Sequence, residues 1–141
     1  NLGLSVINSI TALQAGASIL DATACGLGAG AGNTPLGVLV AALHRMGYEP
    51  RLKADLYQAL RAGTIAKDIF CDHIPSNSEA TIISGLNGVF SGFTKPVLRI
   101  ATELDVDPKR IFFELGARKI VGGQEDIIIE IAHDLKKGNR L

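Results

Sequence analysis

The sequence lacks an excess of charge of either sign. Lys and Arg number 14 together, Asp and Glu number 14, and the formal net charge is zero. Nucleic acid and anionic membrane surfaces select strongly basic faces, so neither is expected as the main partner. A membrane-length apolar run is also missing, as is a recognisable signal peptide. Only two cysteines occur, Cys25 and Cys71. They fit no zinc spacing and read as reduced thiols of a cytoplasmic protein. No Ser/His/Asp or Cys/His arrangement has workable spacing, and no His-x-His, His-Glu-x-x-His or paired-carboxylate motif appears. On its own residues the chain carries half a site.

What is present is a buried core in prospect. The 141 residues are 47% hydrophobic, enough for one domain or one and a half and too apolar for disorder. The chain opens Asn1-Leu2-Gly3-Leu4 without an initiating Met and is soon helical, so it reads as the later part of a longer protein.

The organising stretch runs from Leu20 to Leu36. A β-like segment, Ser18 to Ala24, leads into glycines at 26, 28, 30 and 32, then Asn33-Thr34-Pro35. Thr34 suits an N-cap and Pro35 the first helical position. The expected product is a loop of bare backbone amides plus the Asn33 carboxamide beside a helix N-terminus, a corner that welcomes anions or carbonyls. The competing reading is a small-residue loop that merely lets a helix pack closely. Gly26, Gly28 and Ala31 match the dinucleotide template G-x-G-x-x-G/A, but no acidic residue follows a second strand, since Glu49 comes after a helix. Cys25 lies in this loop with no His or Lys close in sequence, which favours a packing role over a reactive thiolate.

Around the loop, apolar spacing predicts a helix over 4–15 with Val6, Ile10, Leu13 and Ala17 in a stripe, closed by Gly16. A second covers 35–46, with Leu36, Leu39, Val40 and Leu43 on one face beside His44, closing at Gly47. After a turn at 48–52 containing Pro50, a third spans 53–70 and is expected to bury Leu52, Leu56, Leu60, Ile65 and Ile69. Asp72 and His73 are read as turn residues rather than metal ligands, for want of a third donor. Residues 78–84 suit either a short helix or a strand.

Phe90, Phe93, Val97, Ala101 and Leu104 form another helical stripe, which Pro96 either kinks or opens with Thr94 as cap. Asp107-Pro108 caps a helix running through Leu115, and residues 116–123 form a loop holding Arg118 and Lys119. The last helix begins at Gln124-Glu125-Asp126 and closes on Lys136 and Lys137, as the helix dipole prefers. Its Ile127, Ile128, Ile129 and Ile131 cover more than one face, so it is either wedged between layers or docked on another surface. Strand signals end near Tyr48. Helix, strand, glycine loop, helix is the rhythm of an α/β protein with functional loops at strand C-termini. The fold class expected is therefore α/β going to all-α, with a domain boundary at 47/48.

Four stretches together carry a resemblance: Asn1 to Ser9, Asp21 to Leu36, Gly88-Val89-Phe90-Ser91-Gly92-Phe93, and Glu114 to Asp126 with its Val121-Gly122-Gly123-Gln124-Glu125-Asp126. The chain resembles the C-terminal part of the 4-hydroxy-2-oxoacid (4-hydroxy-2-oxovalerate) aldolases along nearly its whole length. The glycine loop ending in Gly-Asn is similar to that of HMG-CoA lyase and isopropylmalate synthase relatives as well.

The resemblance implies the last strands and helices of a TIM (β/α)8 barrel in residues 1–47 and a helical communication domain in 48–141. It implies cleavage of a 4-hydroxy-2-oxoacid to pyruvate and an aldehyde, with a divalent metal, manganese foremost, holding the 2-oxo acid. An acylating acetaldehyde dehydrogenase is the implied docking partner, and an oligomer the implied assembly. The metal-binding His-x-His, Asp and catalytic His of the family would all precede Asn1. Gly28, Gly30, Gly32 and Asn33 would form the rim of the substrate pocket, with Asn33 beside the metal. Phe90 stands where the family has a catalytic Tyr and lacks its hydroxyl, and Gly37 stands where the family has Glu. Cys25 does not align with the loop Cys of the HMG-CoA lyase branch. Two rival readings follow from the residues: an acyl-CoA-condensing synthase of the same superfamily, suggested by Phe90, and a non-catalytic interaction module, suggested by the missing ligands and the isoleucine-rich last helix.

Overall fold

The computed structural model describes residues 1–48 and 53–138. The turn expected at Glu49-Pro50, and Leu52 with it, lies outside the described residues. Seven α-helices appear among those described: α1 Ser5–Gln14, α2 Leu36–Arg45, α3 Leu56–Ile69, α4 Glu79–Leu86, α5 Thr94–Leu104, α6 Pro108–Ala117 and α7 Asp126–Gly138. They belong to two compact units. One is Gly3–Ser76, and the other is Asn77–Leu141 together with Asn1–Leu2. The division falls at Ser76/Asn77 rather than at residue 48, because α3 packs on α2 and on the 3-10 turn Ala24–Gly26 of the glycine loop.

In the unit Gly3–Ser76, α1 meets α2 through Ile10, Leu39 and Leu43, with Val6, Leu13, Leu20 and Tyr48 packed around them. The expected strand does not form. Among the described residues its only β feature is an isolated parallel bridge between Thr23 and Pro35. A strand needs a neighbour along its whole length to satisfy its backbone. Ile19, which such a strand would bury, is 83% exposed.

Helix α3 also departs from expectation. Leu60, Ile65 and Ile69 are exposed, and the buried positions are Ala59 and Ala66. With Gly63 between them these make a small-residue stripe at i, i+4 and i+7, which brings the α3 backbone close to its neighbours. Gly37 belongs to the same contact. A Cβ there would stand 3.2 Å from a Leu60 methyl and 3.5 Å from the Ala59 carbonyl oxygen.

The second unit is a helical bundle. Phe93, Val97, Ile111, Phe112, Leu115 and Ala132 are fully buried, and Ile128 and Ile131 nearly so. Residues 78–84 resolve as helix. Ser78 caps α4 by accepting from the Thr81 N–H, while the Thr81 hydroxyl accepts from the Ser78 N–H. Asp107 caps α6 as its sequence suggests, accepting the Lys109 N–H at 2.9 Å. Helix α6 runs on to Ala117, so Arg118 closes that helix rather than sitting in a loop. It pairs with Glu130 at 2.9 Å and with Glu114 at 3.8 Å.

Pro96 opens α5, but Thr94 is its first residue rather than its cap, and the Thr94 hydroxyl has no partner in its buried setting. Helix α7 is one-sided: Ile128, Ile131 and Ala132 are buried, Ile127 and Leu135 pack against the same core, and Ile129 is exposed.

Candidate functional site

The glycine loop is built on the Thr23–Pro35 bridge. The Thr23 N–H donates to the Thr34 carbonyl and the Leu36 N–H to the Thr23 carbonyl, each at 2.9 Å. Pro35, not Thr34, is therefore the residue before the helix, because α2 begins at Leu36. Thr34 is buried, and its hydroxyl faces α1. It donates to the Ser5 carbonyl at 3.2 Å and lies 2.9 Å from the Ser9 hydroxyl.

Part of the loop's amide set is bonded within the loop. The N–H groups of Gly26, Leu27, Gly32 and Asn33 bond to the carbonyls of Thr23, Ala24, Ala29 and Gly26. This closes the loop on itself and weakens the anion-binding reading. Gly32 carries the tightest turn: its φ is +98°, and a Cβ there would collide with the Gly26 carbonyl oxygen.

Gly28 serves a different purpose. A Cβ at Gly28 would lie 2.6 to 2.9 Å from the Asn33 carboxamide, so the absent side chain is the bed on which that carboxamide rests. Asn33 Nδ2 donates to the Leu27 carbonyl at 3.0 Å, and the Thr23 hydroxyl donates to the same oxygen at 2.8 Å. An amide held through its nitrogen turns its oxygen the other way. Asn33 is exposed, and its oxygen is the kind of neutral ligand that hard cations coordinate and that hydroxyl groups donate hydrogen bonds to.

Cys25 adopts φ = 54°, unusual for a residue with a side chain. The turn points its Sγ at α3, where it donates to the Gly63 carbonyl at 2.7 Å. Beside this contact lies a cleft of about 390 Å³ bordered by Cys25, Gly37, Val38, Leu60, Gly63 and Lys67. Neither Thr23 nor Gly63 stands out as functional in the sequence. The Ala59, Gly63, Ala66 spacing is the one signal that marks the close approach.

Of the other positions singled out, His44 and His73 are exposed, as is Asp72. Among the described residues no group of three His, Cys, Asp or Glu side chains comes together to hold a metal. Asn33 alone does not make a metal centre, so the donor set among the described residues does not fit one.

Phe90 belongs to the other unit. It is 54% exposed, set edge-on to the buried Phe93 with ring centroids 5.7 Å apart and planes at 85°. Its ring lies across Gly92 and Gly122, and a Cβ at Gly122 would stand 3.4 Å from it.

Comparison with known proteins defines the class. Residues 1–64 match the family model described as HMGL-like, and residues 75–137 match the DmpG-like communication domain. These intervals follow the two compact units closely. A 4-hydroxy-2-oxovalerate aldolase of Pectobacterium atrosepticum is 56% identical over 139 residues, which is 99% of this chain and 40% of that protein. One of Spirochaeta aurantia is 51% identical over 141 residues, covering 99% of this chain and 41% of its own length. One of Streptomyces tendae is 56% identical over 136 residues, 96% of this chain and 38% of its own. The chain spans about two fifths of the length of the curated relatives it matches. Along nearly its whole length it is similar to the C-terminal portion of those 4-hydroxy-2-oxovalerate aldolases.

Proposed function

We propose that the protein to which this chain belongs is a carbon–carbon lyase that cleaves 4-hydroxy-2-oxovalerate, or a related 4-hydroxy-2-oxoacid, to pyruvate and an aldehyde. The observation that carries this reading is the high identity to such aldolases across both units, in the same order. Under it, the unit Gly3–Ser76 supplies the closing part of a TIM barrel, and the exposed Ile19 and the lone Thr23–Pro35 bridge mark where further strands would lie. The helical unit docks an acylating aldehyde dehydrogenase, the assembly is oligomeric, and the two free cysteines suit a cytoplasmic setting.

Cleavage of a 4-hydroxy-2-oxoacid leaves charge on the pyruvate enolate, which must be stabilised as it develops. In this reading a divalent metal, manganese foremost, would supply that stabilisation when bound, with the family's ligands expected before Asn1. The chain's own contribution is positional. Gly28, Gly30 and Gly32 would shape the rim of the pocket, with the Asn33 carboxamide, seated on Gly28, turned toward it. In the helical unit, Phe90 carries an aromatic ring where the resemblance places Tyr, and without a hydroxyl it cannot donate or accept a proton.

The missing hydroxyl of Phe90 and the missing carboxylate at Gly37 favour one second reading, a synthase that condenses an acyl-CoA with a 2-oxo acid. Full-length protein supplied with manganese and 4-hydroxy-2-oxovalerate separates the two. Pyruvate release supports the lyase. Free CoA appearing from acetyl-CoA and a 2-oxo acid, without pyruvate release from the hydroxy acid, supports the synthase.

A further inference from the structure

Both neighbours of Phe90 are tied to the side chain of Asn1. The Ser84 hydroxyl, fully buried, donates to the Val89 carbonyl at 3.1 Å. Asn1 Nδ2 donates to that same hydroxyl at 3.2 Å. On the other side of the carboxamide, the Ser91 hydroxyl donates to Asn1 Oδ1 at 3.2 Å. One amide thus bridges the residues before and after Phe90 across 90 positions of sequence.

The clasp is built rather than incidental. Asn77 Nδ2 donates to the Asn1 backbone carbonyl at 2.9 Å, fixing the main chain behind the amide. Gly85 leaves the room it needs: a Cβ there would come within 2.9 Å of the Asn1 Cβ and 3.0 Å of Leu2 Cγ. Only a side chain with a donor at one end and an acceptor at the other completes the chain from Ser91 to Ser84 to Val89. The backbone held at 89 and 91 fixes the direction in which the half-exposed ring at 90 leaves the helical unit, with Phe93 and Gly122 setting its tilt.

We propose that Asn1, with Ser84 and Ser91, is a positioning device for the aromatic side chain at residue 90, and through it a determinant of how the substrate is seated. This rests on the reading in which residue 90 borders the substrate of a 4-hydroxy-2-oxoacid lyase. Asn1 touches no reacting atom. It acts by holding the ring, and loss of the clasp leaves the ring in place but aimed loosely.

The experiment uses the full-length enzyme and measures pyruvate release from each C4 enantiomer of 4-hydroxy-2-oxovalerate, alongside the thermal midpoint. Asn1→Ala is expected to reduce the preference between enantiomers by roughly tenfold, since small misplacements of positioning groups are costly. Ser91→Ala reproduces the loss, and Ser91→Thr, which keeps the hydroxyl, restores the preference. Asn1→Ala combined with Phe90→Ala loses no more than Phe90→Ala alone. Should Asn1→Ala fail to fold, the Ser91 pair carries the test. If Phe90→Ala changes the preference while the Asn1 and Ser91 variants do not, or if their losses multiply, the positioning role is overturned and the lyase reading stands. If Phe90→Ala itself changes nothing, residue 90 does not border the substrate, and the proposal fails with that reading.

Discussion

The Cys25 thiol donates to the Gly63 carbonyl at 2.7 Å, joining the glycine loop to α3 across 38 residues of sequence. The bond explains why Cys25 tolerates a left-handed backbone. The turn aims its side chain at the Gly63 carbonyl of α3. The thiol is half-buried and engaged, whereas Cys71 is exposed. Alkylation under native conditions is therefore expected to modify Cys71 first, with Cys25 slower by roughly tenfold or more, as access and thiolate availability dictate. Mass spectrometry of timed samples reads this directly. Equal rates at the two sites would show that the loop does not rest on α3.

The helical unit depends on a few large side chains. Phe112 is completely buried at the centre of its cluster. Phe112→Ala is expected to cost about 3–5 kcal/mol in denaturant unfolding, the sum of lost transfer energy and the cavity left behind. Gly116→Ala should also destabilise, because a Cβ there would collide with the Asn87 backbone carbonyl, which cannot swing aside as a flexible side chain can. A loss below about 1 kcal/mol for Phe112→Ala would contradict its central place.

The helices of this unit were legible because their signals are local. Asp107-Pro108 caps α6, and the stripe from Phe93 to Ala101 lies buried along α5. The glycine loop was legible as a feature but not as a geometry. Glycine spacing does not reveal that the loop spends four of its amides on its own carbonyls, or that Gly28 exists to seat Asn33. Ser18 to Ala24 has the composition of a strand, yet a strand is a property of pairs, and among the described residues it pairs only through the Thr23–Pro35 bridge. Helix α3 misled for a related reason. Its large apolar residues suggest the buried face, but close packing against α2 and the loop selects Ala59, Gly63 and Ala66 instead. The Asn1 clasp escaped notice because hydrogen bonds between residues 83 and 90 positions apart leave no periodic trace.

Lys109 and Glu79 join the first turns of α6 and α4 through an ion pair at 3.0 Å. The hydrogen bond that Lys109 donates to Glu79, and the charge of that carboxylate, aided by Asp107, raise the Lys109 pKa above its ordinary 10.5. A lysine held more tightly protonated in the folded state contributes stability that is fully present below its unfolded pKa. That contribution is lost as pH rises through the higher folded value. Both side chains are solvated, so the effect is small and falls with salt. Thermal midpoints of the parent and Glu79→Gln should differ slightly at neutral pH and converge above the raised lysine pKa. A gap that widens with alkaline pH would reverse the assignment.

The proposed lyase activity requires the loop carrying Asn33 to border the reacting substrate. The deciding measurement is steady-state pyruvate release from 4-hydroxy-2-oxovalerate by the full-length protein, unaltered and with Asn33→Ala, at saturating manganese. A fall in kcat/KM of about tenfold or more at an unchanged thermal midpoint is predicted, in keeping with removal of a single oriented polar group from a catalytic pocket. Equal rates in the two proteins would contradict it and leave the glycine loop as a packing element only.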